Sequence, residues 1–398
     1  MPIRLSLAGL VCASTVAFAA PAHAEPASLD AELATIRAKH EVPALAAAVA
    51  INGEVVAAGA TGVRALGTDI PVTVGDRFHL GSDTKAMTAT LAGMMVEAGK
   101  LRWDSTVGEV LGADLPGIGP KLAAVKLEQL LSHSSGIPSD TEEIMKLYFS
   151  PDAYDDTLAH YRLRIIDEWG KKNEPKVPDG PSPFQYANLG YVIAGAMIEK
   201  AAGKPWEELI TERIFEPLDL KSAGLGPQAT FGKLDAAVGH RIDDKTGAVT
   251  PIAWGPAADG PLVVGPAGIA HMSVTDFVRW AAWNAGDGKR GPALVSPETL
   301  KRIHAPHVKT PEIKDPKPGT PTTGEYALGW GVVSFPWTPN PVLLHNGSNS
   351  LNLATVLVDE TNDVAIVAMT NYPGPKADAA VIETVEALYK QYAPARVR

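Results

Sequence analysis

Residues 78–85 read Phe-His-Leu-Gly-Ser-Asp-Thr-Lys and place a serine three positions before a lysine. Apolar residues then recur at helical spacing from Met87 to Met95, so the sequence predicts a helix that begins near the serine. Ser82 and Lys85 would lie on one face of that helix, one turn apart. A desolvated lysine has a lowered pKa and can accept the serine proton, which predicts a nucleophile and its base. The alternative is a chance match, so other motifs must support this one.

The first 24 residues differ in composition from the rest of the 398-residue chain. Arg4 provides a positive start, residues 5–19 are mostly apolar, and residues 22–24 form a small-residue cleavage pattern. This segment predicts a signal peptide over residues 1–24 and an exported protein, periplasmic or secreted. An N-terminal anchor that is never cleaved is the alternative.

Composition excludes several classes of function for the mature chain. The single cysteine, Cys12, lies within the leader, so disulfides, a thiol nucleophile and cysteine-bound metals are not expected. Without the leader the chain has 34 basic and 45 acidic residues, a net charge of −11, and no basic run. Nucleic acid and anionic membrane surfaces are therefore not expected partners, and no other apolar stretch approaches the length of a membrane span.

Strand patterns occur near both ends of the chain and helical patterns lie between them. The strand-like runs are 44–51, 54–60, 353–358 and 364–370. Asn52-Gly53 joins the first two as a hairpin turn, and amphipathic helices are predicted at 28–40, where Ser28 can cap, and at 377–391. This order predicts an α+β fold: an antiparallel sheet built from both termini and flanked by helices, with a mostly helical domain inserted.

We expect one catalytic unit over residues 25–398. Its α/β part is predicted at about 28–80 and 290–398, and its helical part at about 81–289.

Tyr186-Ala187-Asn188 is a second candidate motif, placed just before an apolar helix. A phenol beside an ammonium group has its pKa pulled down and can exchange protons with a serine and a leaving group. Asn188 offers a donor and an acceptor that can orient an amide substrate or the lysine. The alternative is a tyrosine packed under a loop.

His345-Asn346-Gly347-Ser348 precedes the last predicted hairpin and is a third candidate motif. Gly347 allows a ligand to approach the strand backbone closely, and the N–H of Ser348 can form an oxyanion hole with the N–H of Ser82. A hydrogen-bonded surface histidine is the alternative for His345.

Together the three motifs resemble those of class C β-lactamases and penicillin-binding proteins, a family of serine hydrolases with the β-lactamase/transpeptidase-like fold. Phrases at 130–137, 214–218 and 326–331 agree, and the resemblance covers roughly residues 30–390. The resemblance implies that Ser82 is the acylated nucleophile, Lys85 its proton acceptor and Tyr186 the second acid/base group. It implies that Asn188 orients the substrate and that His345 with Gly347 forms the third motif.

The chain departs from β-lactamases at this third motif, which usually begins with lysine in Lys-Thr-Gly. Lys245-Thr246-Gly247 is present but lies in a polar turn pattern about 60 residues after Tyr186, whereas His345 follows by about 160 residues, close to the family spacing. We assign the motif to His345. A histidine near neutral pH is mostly uncharged, so the resemblance implies esterases and D-amino-acid peptidases at least as readily as antibiotic-hydrolysing enzymes.

The sequence therefore predicts an exported serine hydrolase that cleaves ester or amide bonds through an acyl-enzyme on Ser82, with D-amino-acid peptides among the candidate substrates. A true β-lactamase and a slowly deacylating penicillin-binding sensor are the alternatives. A small molecule or short peptide is the expected partner, no metal or cofactor is expected, and the oligomeric state stays open. The chain has no Gly-x-Ser-x-Gly elbow and no His-Glu-x-x-His motif.

Overall fold

The main sheet is built from both ends of the chain. The computed structural model describes residues 25–150, 156–180, 182–314 and 321–393; the predicted signal peptide and Cys12 lie outside these ranges. Within them the sheet has nine strands in the order β1-β3-β2-β14-β13-β12-β11-β10-β9, and a three-stranded sheet has the order β4-β8-β5. Strands β6 and β7 form a separate hairpin. The strands are β1 Ala27–Ser28, β2 Ala44–Ile51, β3 Glu54–Gly62, β4 Arg77–His79, β5 Gly224–Leu225, β6 Gly239–Ile242, β7 Val249–Ile252, β8 Ala270–Ser273, β9 Val308–Lys309, β10 Gly324–Tyr326, β11 Gly331–Val333, β12 Val342–Gly347, β13 Leu353–Asp359 and β14 Val364–Thr370.

Helices cover both faces of the main sheet and fill the middle of the chain. They are α1 Asp30–His40, α2 Thr84–Glu97, α3 Val107–Leu111, α4 Pro120–Ala123, α5 Leu127–Leu131, α6 Glu142–Tyr148, α7 Leu158–Gly170, α8 Asn188–Ala202, α9 Trp206–Ile210, α10 Gly265–Gly268, α11 Val274–Ala285, α12 Pro297–His304 and α13 Pro375–Tyr392. Short 3-10 turns cover Gly81–Asp83 and Leu262–Val264, and a π turn covers Thr211–Phe215. The predicted α+β class, with an antiparallel sheet flanked by helices, is confirmed. No helix of the described residues is both long and apolar enough to cross a membrane.

The central strand β2 is buried on both faces, which explains its continuous apolar run. Its even-numbered residues, such as Ala46 and Ala48, pack into one core, and its odd-numbered residues, such as Leu45 and Val49, pack into the other. This division follows from the alternation of side chains along a strand. α1 and α13 cover the core that contains Leu45 and Val49, while α2 and α11 contribute to the core that contains Ala46 and Ala48. The small side chains of β2 let helices approach the sheet closely on both sides.

The helices at the two ends of the chain lie where the sequence predicts them, with one local difference. Ser28 does not occupy the N-cap of α1 but forms the short strand β1, parallel to β3, and Leu29 is the N-cap. The Ser28 hydroxyl still accepts a hydrogen bond from the N–H of Asp30. α11, which the predicted boundary near residue 289 assigns to the helical part, packs against β14, β2 and β13. The division into two parts therefore stays a prediction.

Candidate active site

The segment of Ser82 follows β4, is hydrogen-bonded to β8 and leads into α2. The N–H of Leu80 donates to the carbonyl of Ala270 on β8, at 2.8 Å. Gly81 follows with a φ of +50°, a conformation that favours glycine, and the chain then turns through the 3-10 segment into α2. The Thr84 hydroxyl donates to the Gly81 carbonyl at 2.7 Å and so fixes this turn. Ser82 therefore stands near the N-terminus of a long helix, as the sequence predicts.

Lys85 is completely buried directly beneath this serine. Its Nζ lies 3.0 Å from Ser82 Oγ, 2.7 Å from Asn188 Oδ1 and 2.8 Å from the carbonyl oxygen of Ala267. Burial lowers the pKa of Lys85 to about 7, although the carboxylates of Asp140 and Asp83 oppose this change.

A neutral amine has two N–H donors and one lone pair. The amide oxygen of Asn188 and the carbonyl oxygen of Ala267 can only accept hydrogen bonds, so they take the two donors. The lone pair of a neutral Lys85 is then left for the remaining partner, the hydroxyl of Ser82. The environment of Lys85 thus orients it to accept the serine proton.

The loop before α8 carries Tyr186 and is fixed by the histidine of the 130–137 segment. His133 Nδ1 accepts the N–H of Ala187 at 3.1 Å, and its carbonyl accepts the N–H of Gln185 at 2.7 Å. The rings of His133 and Tyr186 are in contact, with centroids 4.1 Å apart. Since both backbone groups flank Tyr186, this histidine determines where the phenol projects.

Tyr186 reaches the serine, but its pKa differs from the expectation. Burial raises the pKa of Tyr186 above its usual value, and a hydrogen bond with the Ser82 side chain acts in the opposite direction. We expected a neighbouring ammonium group to lower this pKa. Lys85 Nζ lies over the ring, 4.8 Å from its centroid, and the pKa of about 7 leaves it only partly charged. The phenol therefore keeps its proton at neutral pH and is suited to donate it.

The third segment meets the first through its backbone. A Cβ built on Gly347 would lie 1.8 Å from the carbonyl oxygen of Leu80 and 2.7 Å from the N of Ser82. A Cβ on Gly81 would lie 2.2 Å from the N of Ser348. Only glycine fits at both places, and their contact brings the Ser82 and Ser348 segments side by side, as an oxyanion hole requires.

His345 has a different environment from the one that the sequence suggests. It is 6% exposed, and its Nε2 lies 2.9 Å from the hydroxyl of Tyr326 while its Nδ1 lies 3.3 Å from Asp83 Oδ1. Burial and the charge of Lys85 lower the pKa of His345 to about 3, so the ring is uncharged at neutral pH. Burial also raises the pKa of Asp83 well above its usual range. His345 joins β12 to α2 internally rather than presenting a cation to a ligand.

A cleft of about 670 Å³ opens above Ser82. Asn188 and Ser348 line it. Its charged lining residues are Asp140, Asp244, Asp259 and Arg241. The cleft is therefore mainly acidic.

Lys245-Thr246-Gly247 lies in the exposed turn between β6 and β7, as the sequence predicts.

Several residues of the site have no obvious sequence signal. Asp140 accepts a hydrogen bond from Asn188 Nδ2 at 2.6 Å, and the carbonyl of Ala267 belongs to a segment with no predicted role. His133 and Tyr326 fall within phrases that resemble the family, at 130–137 and 326–331, and that resemblance was the available signal.

A serine, a buried lysine of lowered pKa and a phenol, joined on this sheet-and-helix scaffold, define the β-lactamase-fold class of serine hydrolases. The chain belongs to the Beta-lactamase family, which it matches over residues 29–391. Penicillin-binding protein 4 of Amycolatopsis lactamdurans is 28% identical over 341 residues, which are 84% of this chain and 82% of that protein. The chain spans 46%, 58% and 60% of the length of three other curated relatives.

Solved structures with lower identity show the same fold. The D-amino acid amidase of Ochrobactrum anthropi SV3, complexed with L-phenylalanine, is 22% identical with a TM-score of 0.69, over 90% of this chain and 97% of that chain. A class C β-lactamase of Rhodobacter sphaeroides is 20% identical with a TM-score of 0.67, over 91% of this chain and 99% of that chain.

Proposed function

We propose that the protein is an exported serine hydrolase that cleaves esters or amides through an acyl-enzyme on Ser82. The observation that carries this proposal is the 3.0 Å contact between Ser82 Oγ and the Nζ of Lys85, whose pKa of about 7 leaves much of it neutral. Export rests on the predicted leader at residues 1–24.

In the acylation step, Ser82 Oγ forms a bond to the substrate carbonyl carbon while its proton passes to the lone pair of Lys85. The carbonyl oxygen becomes an oxyanion, which the N–H groups of Ser82 and Ser348 stabilise. The tetrahedral intermediate collapses as the bond to the leaving group breaks. Tyr186 donates its proton to the leaving alcohol or amine and recovers one from the lysine ammonium, so the protons balance. Water then adds to the acyl carbon, and the bond between this carbon and Ser82 Oγ breaks. One proton of the water stays on the released acid and the other returns to Ser82 Oγ, which restores the free enzyme.

The charges at the site favour the binding of neutral or cationic substrates over that of β-lactams. In β-lactamases with Lys-Thr-Gly, a lysine provides a permanent cation for the substrate carboxylate, whereas His345 is buried and uncharged here. The cleft above Ser82 also has three acidic lining residues against one arginine. An amino group on the substrate would be attracted and a carboxylate repelled. We therefore propose short acyl esters and amino-acid amides or esters as substrates, which agrees with the fold shared with the D-amino acid amidase.

The test compares Ser82→Ala with the unaltered enzyme on p-nitrophenyl acetate, a D-phenylalanine anilide and a chromogenic cephalosporin. The enzyme should hydrolyse the first two faster than the cephalosporin, and Ser82→Ala should abolish all turnover while keeping its melting temperature. Near-normal turnover by Ser82→Ala would exclude this nucleophile. Preference for the cephalosporin would establish the β-lactamase alternative, and a persistent adduct of Ser82 in mass spectrometry, without product, would establish the sensor.

A further inference from the structure

A buried histidine lies immediately before the nucleophile segment and has no part in the mechanism above. His79 is completely buried at the end of β4, and its Nδ1 accepts the N–H of Gly81 at 3.0 Å. Because Nδ1 is an acceptor here, a neutral ring carries its proton on Nε2. That nitrogen lies 2.9 Å from Asp259 Oδ1, although the N–H does not point straight at the oxygen. One side of the imidazole therefore holds Gly81 and the other side faces a carboxylate.

The same carboxylate oxygen also reaches the other half of the oxyanion hole. Asn349 Nδ2 donates to Asp259 Oδ1 at 3.2 Å, and Asn349 is the residue after Ser348. The N–H of Gly260 donates to this oxygen as well, at 2.6 Å, which orients the carboxylate on its own loop. The Asp259 side chain is only 4% exposed. One buried oxygen is thus shared by contacts to two segments that are more than 260 residues apart in sequence.

The relative position of these segments matters because each supplies one N–H donor. An oxyanion hole stabilises the transition state only when both donors lie about 3 Å from the developing charge. A displacement of about 1 Å can cost on the order of 100-fold in rate. The strand pairing of β12 ends at Gly347, one residue before Ser348, and Ser82 lies in the 3-10 turn that begins at Gly81. Ser348 and Ser82 therefore both lie outside the hydrogen-bonded strands.

We propose that Asp259 is a positioning residue that holds the two oxyanion donors together, through His79 on one side and Asn349 on the other. This inference rests on the proposed function. Asp259 Oδ1 accepts a hydrogen bond from Asn349 and lies in contact with His79 Nε2, and an amide oxygen at the same place would keep both contacts. Loss of the Asp259 side chain should therefore weaken stabilisation of the transition state and leave ground-state binding of the substrate nearly unchanged.

The main test compares Asp259→Ala with Asp259→Asn, whose amide oxygen can still accept the hydrogen bond from Asn349 and keep the contact with His79 Nε2. We expect Asp259→Ala to lower kcat for p-nitrophenyl acetate 10- to 100-fold, the range expected for a misplaced donor, with KM changed less than threefold. Asp259→Asn should stay within about fivefold of the unaltered enzyme. The affinity for phenylboronic acid, which forms a tetrahedral adduct with a serine, should fall in parallel with kcat.

Asp359→Asn is the matched control, because Asp359 is a buried carboxylate that binds the turn at the far end of β13. It should lower the melting temperature without changing kcat. Equal losses in Asp259→Ala and Asp259→Asn, or unchanged kcat and boronate affinity in Asp259→Ala, would overturn the proposal.

If Asp259→Ala does not fold, His79→Asn carries the test, because asparagine can still accept the Gly81 N–H but cannot reach Asp259. It should lower kcat about tenfold with KM unchanged, and an unchanged kcat would overturn the proposal. An unaltered enzyme that neither turns over substrate nor forms a Ser82 adduct would instead overturn the proposed function, and this inference with it.

Discussion

Replacing Asp140 with asparagine is expected to shift activity to lower pH. Asp140 lies at the edge of the cleft, where its Oδ2 accepts a hydrogen bond from Asn188, and Asn188 in turn contacts Lys85. The carboxylate of Asp140 raises the pKa of Lys85 against the larger effect of burial. Without that negative charge the pKa of Lys85 falls, and a larger fraction of the lysine is neutral and able to act as a base at acidic pH.

The size of the shift follows from Coulomb's law. The contacts of 2.7 Å and 2.6 Å on either side of the Asn188 amide place Lys85 Nζ within about 7 Å of the Asp140 carboxylate. Asp140 is exposed to solvent, so an effective dielectric constant of about 40 is appropriate, which gives an interaction of about 1 kcal/mol. This free energy corresponds to a pKa change of just under one unit. At pH 6 the neutral fraction of Lys85, and hence the rate, should rise about fivefold.

The assay is the pH dependence of kcat/KM for p-nitrophenyl acetate between about pH 5 and pH 9. In the unaltered enzyme kcat/KM should rise through about pH 7, the pKa of Lys85, and then reach a plateau. Asp140→Asn should move the midpoint down by about one unit and leave the plateau within a few fold. Asp179→Asn, which neutralises an exposed carboxylate in the loop that leads to Tyr186, should not move it. A midpoint that stays in place or moves up in Asp140→Asn would refute Lys85 as the titrating base.

Three further tests address other parts of the site. Tyr186→Phe should lower kcat about 100-fold with a small change in KM, because it removes the donor to the leaving group, and steady-state kinetics would measure this. Lys245→Ala should keep nearly full activity. His345→Ala should lose at least tenfold in activity and melt at a lower temperature, because removal of the buried ring leaves a cavity and leaves Tyr326 and Asp83 without their partner. The reverse result would show that the third motif was assigned to the wrong position. Gly347→Ala should abolish activity because its Cβ would overlap the backbone of the Ser82 segment. Gly75→Ala, whose Cβ would lie 3.8 Å from the hydroxyl of Thr73, should be nearly silent in the same ester assay.

Local sequence patterns predicted much of the fold. Asn52-Gly53 predicted a two-residue hairpin turn, and the structure gives these residues φ values of 51° and 85°, which suit that turn. The helical spacing near the C-terminus predicted that Val381, Val385 and Leu388 share a face, and all three are buried in the core beneath α13. Such features follow from the sequence because turn chemistry and side-chain periodicity depend on residues that are near neighbours along the chain.

The sequence could not place groups that act through space. Asp83 is adjacent to the nucleophile in the chain, but its contact with His345 depends on how β12 meets α2. Asp140 and the carbonyl of Ala267 have no motif of their own, and their contacts near Lys85 arise because segments that are far apart in the sequence meet there. The direction of the Tyr186 pKa shift was predicted incorrectly for the same reason. It depends on burial, and burial depends on the packing of His133 against the phenol ring.

By itself, the sequence predicted the terminal strands and helices of this protein and its candidate reactive groups, because periodicity, turn residues and the Ser-x-x-Lys spacing are local properties. The tertiary structure alone decided which of these groups are neutral, which contact two distant segments at once and which face the cleft. Desolvation and contacts between distant segments set the pKa of Lys85, leave His345 uncharged and bring the backbone of Ser82 beside that of Ser348. These effects depend on distances that exist only after the chain has folded.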